Sequence, residues 1–214
     1  MAVAVIVVAS PACGQVSSHP PAIVTRYCSG CHGLDGASQA PYLPRIAGIG
    51  APYLATKWAT YKSAGPAPVD EAFSRMVHIG KHRNRATLVA VATEQMIGVA
   101  HAASDEDSKE AIRWYSAQQP APGKSGTSKT IEEGKSLYIN GLRSQGLYAC
   151  QICHGPEARG NDSIPRLAGQ NAPYVLAQLA LFRAGGRPNS PMTEIARHLR
   201  GDQARAIAGY LQSR

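Results

Sequence analysis

The sequence has few aromatic residues and few cysteines, and it contains no long hydrophobic run. Phe, Trp and Tyr make up 6% of the 214 residues, and only two residues are Phe. Four of the five cysteines lie in two short motifs, which excludes a disulfide framework of the kind that holds small secreted domains together. The apolar stretch at residues 1–10 is too short to span a bilayer.

The chain also lacks a basic run with interleaved aromatic residues, so its charge does not indicate nucleic-acid binding. The formal net charge is +8, and it is unevenly distributed. Residues 1–118 contain ten Lys/Arg and eight Asp/Glu, a net +2, whereas residues 119–214 contain twelve and six, a net +6. A basic face in the second half suits the steering of an acidic protein partner.

One pentapeptide pattern occurs twice, as Cys28-Ser-Gly-Cys31-His32 and as Cys150-Gln-Ile-Cys153-His154. Two thiols at this spacing can add to the vinyl groups of a haem while the following imidazole ligates its iron, so C-x-x-C-H indicates c-type haem attachment. A redox C-x-x-C pair, half of a zinc site or a disulfide are the alternatives for an isolated copy. The second copy, with the same sequence downstream, disfavours all three.

The sequence around the motifs is duplicated. The block P-R-I-A-G-I-G-A-P-Y at 44–53 recurs as P-R-L-A-G-Q-N-A-P-Y at 165–174, and each copy leads into a helical pattern, predicted at 54–61 and 175–182. The shift is 122 residues at the cysteines and 121 at this block. An internal duplication predicts two domains of about a hundred residues each.

The domain prediction is a 1–19 N-terminal segment, a first domain at 20–118 with an insertion at about 66–92, a linker at 119–129 and a second domain at 130–214. Ser104 and Thr130 are predicted to open helices with capping boxes, and Asp202 marks the start of the last helix. Residues 1–12 resemble the apolar region and cleavage site of a secretory signal, although no Lys or Arg precedes them. Cys13 follows the possible cut, so a lipid anchor on it stays open.

A haem iron bound by His32 or His154 needs a second axial ligand, and methionine sulfur there is typical of an electron carrier. Met192 follows Pro191 in a predicted loop and is the only methionine of the second half. In the first half, Met96 lies eleven residues before Asp107 of the closing helix, much as Met192 lies ten residues before Asp202. Counted forward from Gly65, at the end of the preceding helix, Met76 is the nearer methionine. We predict Met96, with Met76 as the alternative.

Residues around the predicted ligands have supporting roles. The carbonyls of Pro44 and Pro165, twelve and eleven residues after the two histidines, are predicted to accept from the imidazoles. Arg45 and Arg166 are predicted to pair with haem propionates, and Tyr53 and Tyr174 are further candidate donors. His78 and His82, four residues apart, leave a weak metal site or an exchangeable iron ligand open.

With these residues assembled, the sequence resembles the dihaem cytochrome c4 family, which is two fused class I cytochrome c domains. The resemblance rests on both C-x-x-C-H motifs, both P-R-[IL]-A-G…A-P-Y blocks, the segment from Arg183 to Met192 and the closing helices. It implies an all-α protein with two covalently bound haem c groups that is not itself an enzyme.

The resemblance further implies that electrons pass between periplasmic or membrane-bound redox partners. Two alternatives stay open. Instead of a free carrier, the chain would then be a cytochrome subunit of a larger oxidoreductase, such as a flavocytochrome sulfide dehydrogenase, or a dihaem enzyme with an open first haem. Membrane association through a redox complex or through Cys13 is also open.

Overall fold

The computed structural model describes residues 19–64, 85–124, 128–187 and 190–214, with side chains in the second range described from residue 91 onward. Within these ranges the chain is helical and has no β-strand, only a single bridge between Leu142 and Leu147. The predicted all-α class is confirmed. Met76, His78, His82, Cys13 and most of the predicted insertion lie outside the described residues.

Helices account for most of the described chain. A π-helical segment, Val24–Cys28, leads directly into the first α-helix. A short 3-10 turn, Arg143–Gln145, lies ahead of the second C-x-x-C-H motif. The α-helices are α1 (Ser29–His32), α2 (Ala51–Ser63), α3 (Arg85–Ala102), α4 (Asp105–Ala117), α5 (Lys129–Asn140), α6 (Gln151–His154), α7 (Ala172–Arg183), α8 (Pro191–Arg197) and α9 (Gly201–Gln212).

Helices α2 and α7 are the duplicated pair that follows the Pro-Arg block. Each has a proline in its first turn, where the missing N–H has no intrahelical partner to lose. Helix α7 ends at Ala184, and Gly185 then adopts φ +75°, a left-handed conformation that favours glycine. Both helices contain the predicted segments and extend them by three residues at the N-terminal end and by one or two at the C-terminal end.

The closing helices α4 and α9 have matching starts. Ser104 caps α4 with the predicted box, its hydroxyl accepting from the amide of Asp107. Helix α9 begins after Arg200, whose amide donates to the side chain of Gln203. The prediction for α5 was wrong by two residues, because the hydroxyl of Ser128, rather than that of Thr130, accepts from the Ile131 amide.

Two hydrophobic clusters form, one from each copy of the duplication. The first is built from the initial helical segment and the helices that close the first half, with Trp58 packed against it. The second surrounds Tyr138 and Leu211, which are 0% and 1% exposed. Small cores of this kind bury limited apolar area, so the haem that the sequence predicts in each half would add to the core.

Helix α3 occupies the place where the two halves differ most in sequence. It packs against α2 of its own half and against α7 of the other half. None of the described helices is long and apolar enough to cross a membrane.

Candidate functional site

Each C-x-x-C-H motif lies on a short helix, with its histidine as the last helical residue. Cys28 is buried, Cys31 and Cys150 are partly buried and Cys153 is exposed. Burial, with a smaller effect of the neighbouring thiol, raises the pKa of Cys28 to about 11, and burial raises that of Cys150 to about 11.

Within the described residues, no three His, Cys, Asp or Glu side chains converge into a metal-binding group. Each motif therefore offers two unpaired thiols at the spacing that thioether attachment to haem requires.

The two histidines are held in the same way. His32 Nδ1 lies 3.1 Å from the carbonyl oxygen of Pro44, and His154 Nδ1 lies 3.0 Å from that of Pro165. A carbonyl only accepts, so Nδ1 carries the proton and the Nε2 lone pair is left for a metal. Burial lowers the pKa of both imidazoles, partly offset by the bond to proline, which keeps each ring in the neutral form that ligates iron.

The backbone directly after each histidine turns sharply. Gly33 and Gly155 have φ values of +79° and +77°, which glycine adopts without strain. A buried tyrosine hydroxyl donates to the carbonyl of each glycine, from Tyr115 at 2.9 Å and from Tyr138 at 2.6 Å. These bonds fix the chain on the C-terminal side of each predicted iron ligand.

The two predicted methionine ligands lie in matching register. Met96 is eight residues before Ser104, the N-cap of α4, and Met192 is eight residues before Arg200, the N-cap of α9. Both are partly buried. The expectation of a loop around Met192 was wrong, because Met192 is the second residue of α8, where the hydroxyl of Ser190 caps its amide. Met96 lies inside the longer helix α3.

Arg45 and Arg166 line one small cavity between the two halves. Arg45 is 9% exposed and donates to the carbonyls of Ser38, Pro122 and Gly169, so it bridges the halves, a role that sequence reasoning missed. Arg166 differs, since its Nε is buried without a hydrogen-bond partner. Burial, and to a lesser extent the nearby Arg159, lower the pKa of Arg166. A carboxylate at this point would accept from Nε and would favour the charged guanidinium.

A second interdomain contact comes from Gln170. Its side chain accepts from the amide of Arg45 and donates to the carbonyl of Arg45, both at 2.9 Å. The amide group of the adjacent Asn171 reaches the carbonyls of Ser38, Ala40 and Leu43 at 3.1–3.3 Å. Sequence reasoning missed both residues, although Gln170 and Asn171 are where the duplicated blocks differ most, replacing Ile49 and Gly50.

The tyrosines of the duplicated blocks also lie at this interface. The hydroxyl of Tyr53 accepts from Nη2 of Arg187, in the other half, at 3.3 Å. Burial raises the pKa of Tyr174 well above its ordinary value, and the phenols of Tyr61 and Tyr53 add to the effect. The phenols of α2 and α7 therefore contribute to the contact between the halves.

These observations fit a haem in each half. Cysteine pairs are positioned for attachment, each histidine presents Nε2, and the orphaned Nε of Arg166 fits a propionate. The all-α fold with two such sites defines a dihaem c-type cytochrome. A curated cytochrome c4 from Azotobacter vinelandii is 33% identical over 191 residues, covering 86% of this chain and 83% of the relative. The chain belongs to the cytochrome c4 family, and it carries two covalently bound haem c groups.

Two further comparisons agree with this assignment. The crystal structure of reduced recombinant cytochrome c4 from Pseudomonas stutzeri matches with a TM-score of 0.70 and 31% identity, over 88% of this chain and 94% of that chain. A thiosulfate dehydrogenase electron acceptor from Stutzerimonas stutzeri (strain A1501) is 31% identical over 193 residues, covering 86% of this chain and 76% of the relative. No family model matches the chain. The protein is an electron-transfer cytochrome and not itself an enzyme.

Proposed function

We propose that each half, 20–118 and 130–214, is one cytochrome c domain with His/Met ligation of its iron. The first haem is attached to Cys28 and Cys31 and ligated by His32 and Met96. The second is attached to Cys150 and Cys153 and ligated by His154 and Met192. The observation that carries this proposal is the shared register of the two methionines, each eight residues before the N-cap of its closing helix.

The haem groups supply one-electron exchange, and the chain's own residues keep their surroundings fixed during it. Pro44 and Pro165 hold the imidazoles in one tautomer and orientation. Because a thioether fills the remaining axial position in both halves, neither iron has a place for substrate. This arrangement favours a carrier over an enzyme with an open first haem.

The electron-transfer partner is proposed to be a periplasmic or membrane-bound redox protein with an acidic docking face. The net +6 of residues 119–214 supports this, since opposite charge steers diffusional encounter. Around the second motif, Tyr148 and Ile152 are each 72% exposed and provide apolar contact area close in sequence to the exposed Cys153.

Permanent membership of a larger oxidoreductase is the second candidate. It is supported by the relative named as an electron acceptor of thiosulfate dehydrogenase, which aligns with 86% of this chain. A permanent subunit predicts copurification with its enzyme at constant stoichiometry. A free carrier predicts a monomeric dihaem protein in the periplasmic fraction.

The ligation proposal is tested by the ferric absorption spectrum of the haem-loaded protein. The weak band at the red edge, which marks methionine sulfur on iron, is quantified per haem in the parent and in Met96→Ala, Met192→Ala and Met76→Ala. Two equivalents in the parent and one in each of the first two variants are expected. The Met76→Ala variant is the matched control and is expected to keep both.

A parent with one equivalent that Met96→Ala leaves unchanged would remove Met96 from the proposal. Loss of the band in Met76→Ala would assign the first iron to Met76 instead. An unassigned first iron that binds cyanide or azide in the parent would favour the enzyme alternative.

A further inference from the structure

A chain of hydrogen bonds runs from the second half of the protein to the predicted iron ligand of the first half. His32 Nδ1 lies 3.1 Å from the carbonyl oxygen of Pro44. The N–H of the same peptide group belongs to Arg45 and donates to Oε1 of Gln170 at 2.9 Å. Because a trans peptide points its C=O and its N–H in opposite directions, this peptide connects His32 on one side with Gln170 on the other.

The side-chain amide of Gln170 is fixed in its orientation. Gln170 is 5% exposed, and its Nε2 donates to the carbonyl of Arg45 at 2.9 Å. Its Oε1 also accepts from the amide of Asn171 at 3.0 Å. In return, the guanidinium of Arg45 donates to the carbonyl of Gly169, the residue before Gln170. These bonds keep the acceptor oxygen of Gln170 on the Arg45 amide.

The duplication does not repeat this acceptor. His154 Nδ1 lies 3.0 Å from the carbonyl of Pro165, much as in the first half. The residue 121 positions before Gln170, however, is Ile49. The side chain of Ile49 contains no oxygen or nitrogen, so it cannot accept from the amide of Arg166. The two halves thus share the bond from histidine to proline and differ in what supports it.

We propose that Gln170 is a positioning residue for the first haem: it strengthens the hydrogen bond from His32 to Pro44 and thereby lowers the reduction potential of that haem. A peptide group whose N–H donates becomes a better acceptor at its carbonyl, because successive hydrogen bonds polarise one another. A stronger acceptor at Pro44 draws the Nδ1 proton and raises the basicity of the imidazole.

A more basic imidazole stabilises ferric iron more than ferrous iron, and hydrogen bonding around an axial ligand is one of the means by which a protein sets a haem potential. This effect requires His32 to ligate the first iron, as proposed above. It does not depend on which methionine lies opposite His32.

The first test is the potential of each haem in the holoprotein, read from the haem-methyl signals in nuclear magnetic resonance during a redox titration. Gln170→Met removes the acceptor at nearly constant side-chain length. At a fixed applied potential, the ferrous-to-ferric ratio of the first haem is expected to rise about two- to fivefold. The ratio of the second haem is expected to stay as in the parent.

Two further variants separate this effect from a looser contact between the halves. Asn171→Ala removes the side-chain bonds that Asn171 makes across the same contact and leaves the peptide between Pro44 and Arg45 untouched. It is expected to keep the parent ratio at both haems. Gln170→Glu retains an oxygen acceptor for the Arg45 amide, so the ferrous fraction of its first haem is expected to stay at or below that of the parent.

The second test observes the hydrogen bond itself in the ferrous holoprotein with ¹⁵N-labelled histidine. The Nδ1 proton of His32 is expected to move to lower frequency in Gln170→Met, because its bond to Pro44 weakens. The Nδ1 proton of His154 is expected to stay in place.

An unchanged ratio at the first haem in Gln170→Met would overturn the proposal, as would an equal rise in Asn171→Ala or an unmoved His32 proton. So would a ferrous fraction in Gln170→Glu above that of the parent, a result that does not require Gln170→Met to fold. Failure of the proposed ligation looks different: the ring signals of His32 in the parent would then lack the ring-current shift of a haem-bound imidazole.

Discussion

Tyr115 and Tyr138 make the same contact from opposite ends of their halves. Each hydroxyl donates to the carbonyl of the glycine that follows the histidine of a C-x-x-C-H motif, at 2.9 Å and 2.6 Å. Tyr115 belongs to α4, the last helix of the first half, whereas Tyr138 belongs to α5, the first helix of the second. The two halves therefore form the same hydrogen bond with tyrosines that are not counterparts in the duplication.

Removing either hydroxyl is expected to destabilise the protein. Tyr138→Phe leaves the half-buried Gly155 carbonyl without its donor beside a fully buried ring, and we expect a loss of about 1–2 kcal/mol in the free energy of unfolding. Tyr115→Phe is expected to lose a similar amount. Guanidinium unfolding followed by far-ultraviolet circular dichroism measures both.

Tyr148→Phe is the control for these variants, since the Tyr148 side chain is 72% exposed. The free energy of unfolding of this variant is expected to equal that of the parent. Equal stability of Tyr138→Phe and the parent would mean that water replaces the hydroxyl.

The interdomain amide contact predicts cooperative unfolding of the two halves. Gln170→Ala removes both bonds to the backbone of Arg45 and leaves a buried amide and a buried carbonyl unpaired. We expect a loss of about 2–3 kcal/mol and the splitting of one thermal transition into two. Calorimetry of the holoprotein measures this. Gln39→Ala, at an exposed position where the side chain bonds only to Ala37, is expected to leave a single transition.

Lys57 predicts a rise in stability at alkaline pH. Burial, and to a lesser extent the guanidinium of Arg187, lowers the pKa of Lys57 to about 8, whereas a lysine in an unfolded chain has a pKa of about 10.4. The unfolded chain therefore binds the proton more tightly, and protonation at neutral pH disfavours the folded state. This cost is fully present below pH 8 and disappears as pH rises from about 8 to about 10.4.

The matching variant is Lys57→Gln, which has no charge to bury. We expect it to be more stable than the parent by about 1 kcal/mol at pH 7, a value reduced for solvent screening, and to lose this advantage as the pH approaches about 10. Thermal unfolding from pH 6 to 10 measures the difference. Lys135→Gln, at an exposed position, supplies the baseline for removing a lysine. A difference that does not vary with pH would contradict the prediction.

The basic second half predicts a salt-dependent encounter with the redox partner. With an acidic redox protein, the second-order rate constant for electron transfer is expected to fall as ionic strength rises from about 0.01 to about 0.15 M, because the Debye length shortens from about 30 to about 8 Å. Stopped-flow mixing measures it, with a neutral small-molecule reductant as the comparison. A rate constant that rises with salt would mean that the acidic protein meets an acidic surface of this chain, and it would contradict the prediction.

Much of the site could be predicted from the sequence because its chemistry depends on local spacing. The attachment motifs, the proline carbonyls and the register of Met192 all follow from short segments that the duplication repeats. Gln170 and Asn171 could not be assigned a role, because their partners lie more than a hundred residues away in the other half. Their departure from Ile49 and Gly50 within an otherwise repeated block was nonetheless a signal of contact between the halves.

Tyr115 and Tyr138 illustrate a second limit. Aromatic residues at helical spacing indicate a core, and spacing does not show which polar tip finds an acceptor or which carbonyl it reaches. The N-cap of α5 at Ser128 and the position of Met192 inside a helix were missed for a related reason. Neighbouring Ser, Thr and Pro residues offer several possible helix starts, and tertiary packing selects one of them.

Arg45, which contacts the other half, directly follows Pro44, whose carbonyl holds the imidazole of His32. The side chain of Gln170, in the second half, bonds to both the backbone amide and the backbone carbonyl of Arg45. The contact between the halves and the hydrogen bond that holds His32 therefore involve two consecutive residues. A duplicated gene ordinarily leaves its two copies free to diverge. Here a substitution that alters the contact between Gln170 and Arg45 is also expected to move His32. The two copies are therefore expected to change together during evolution.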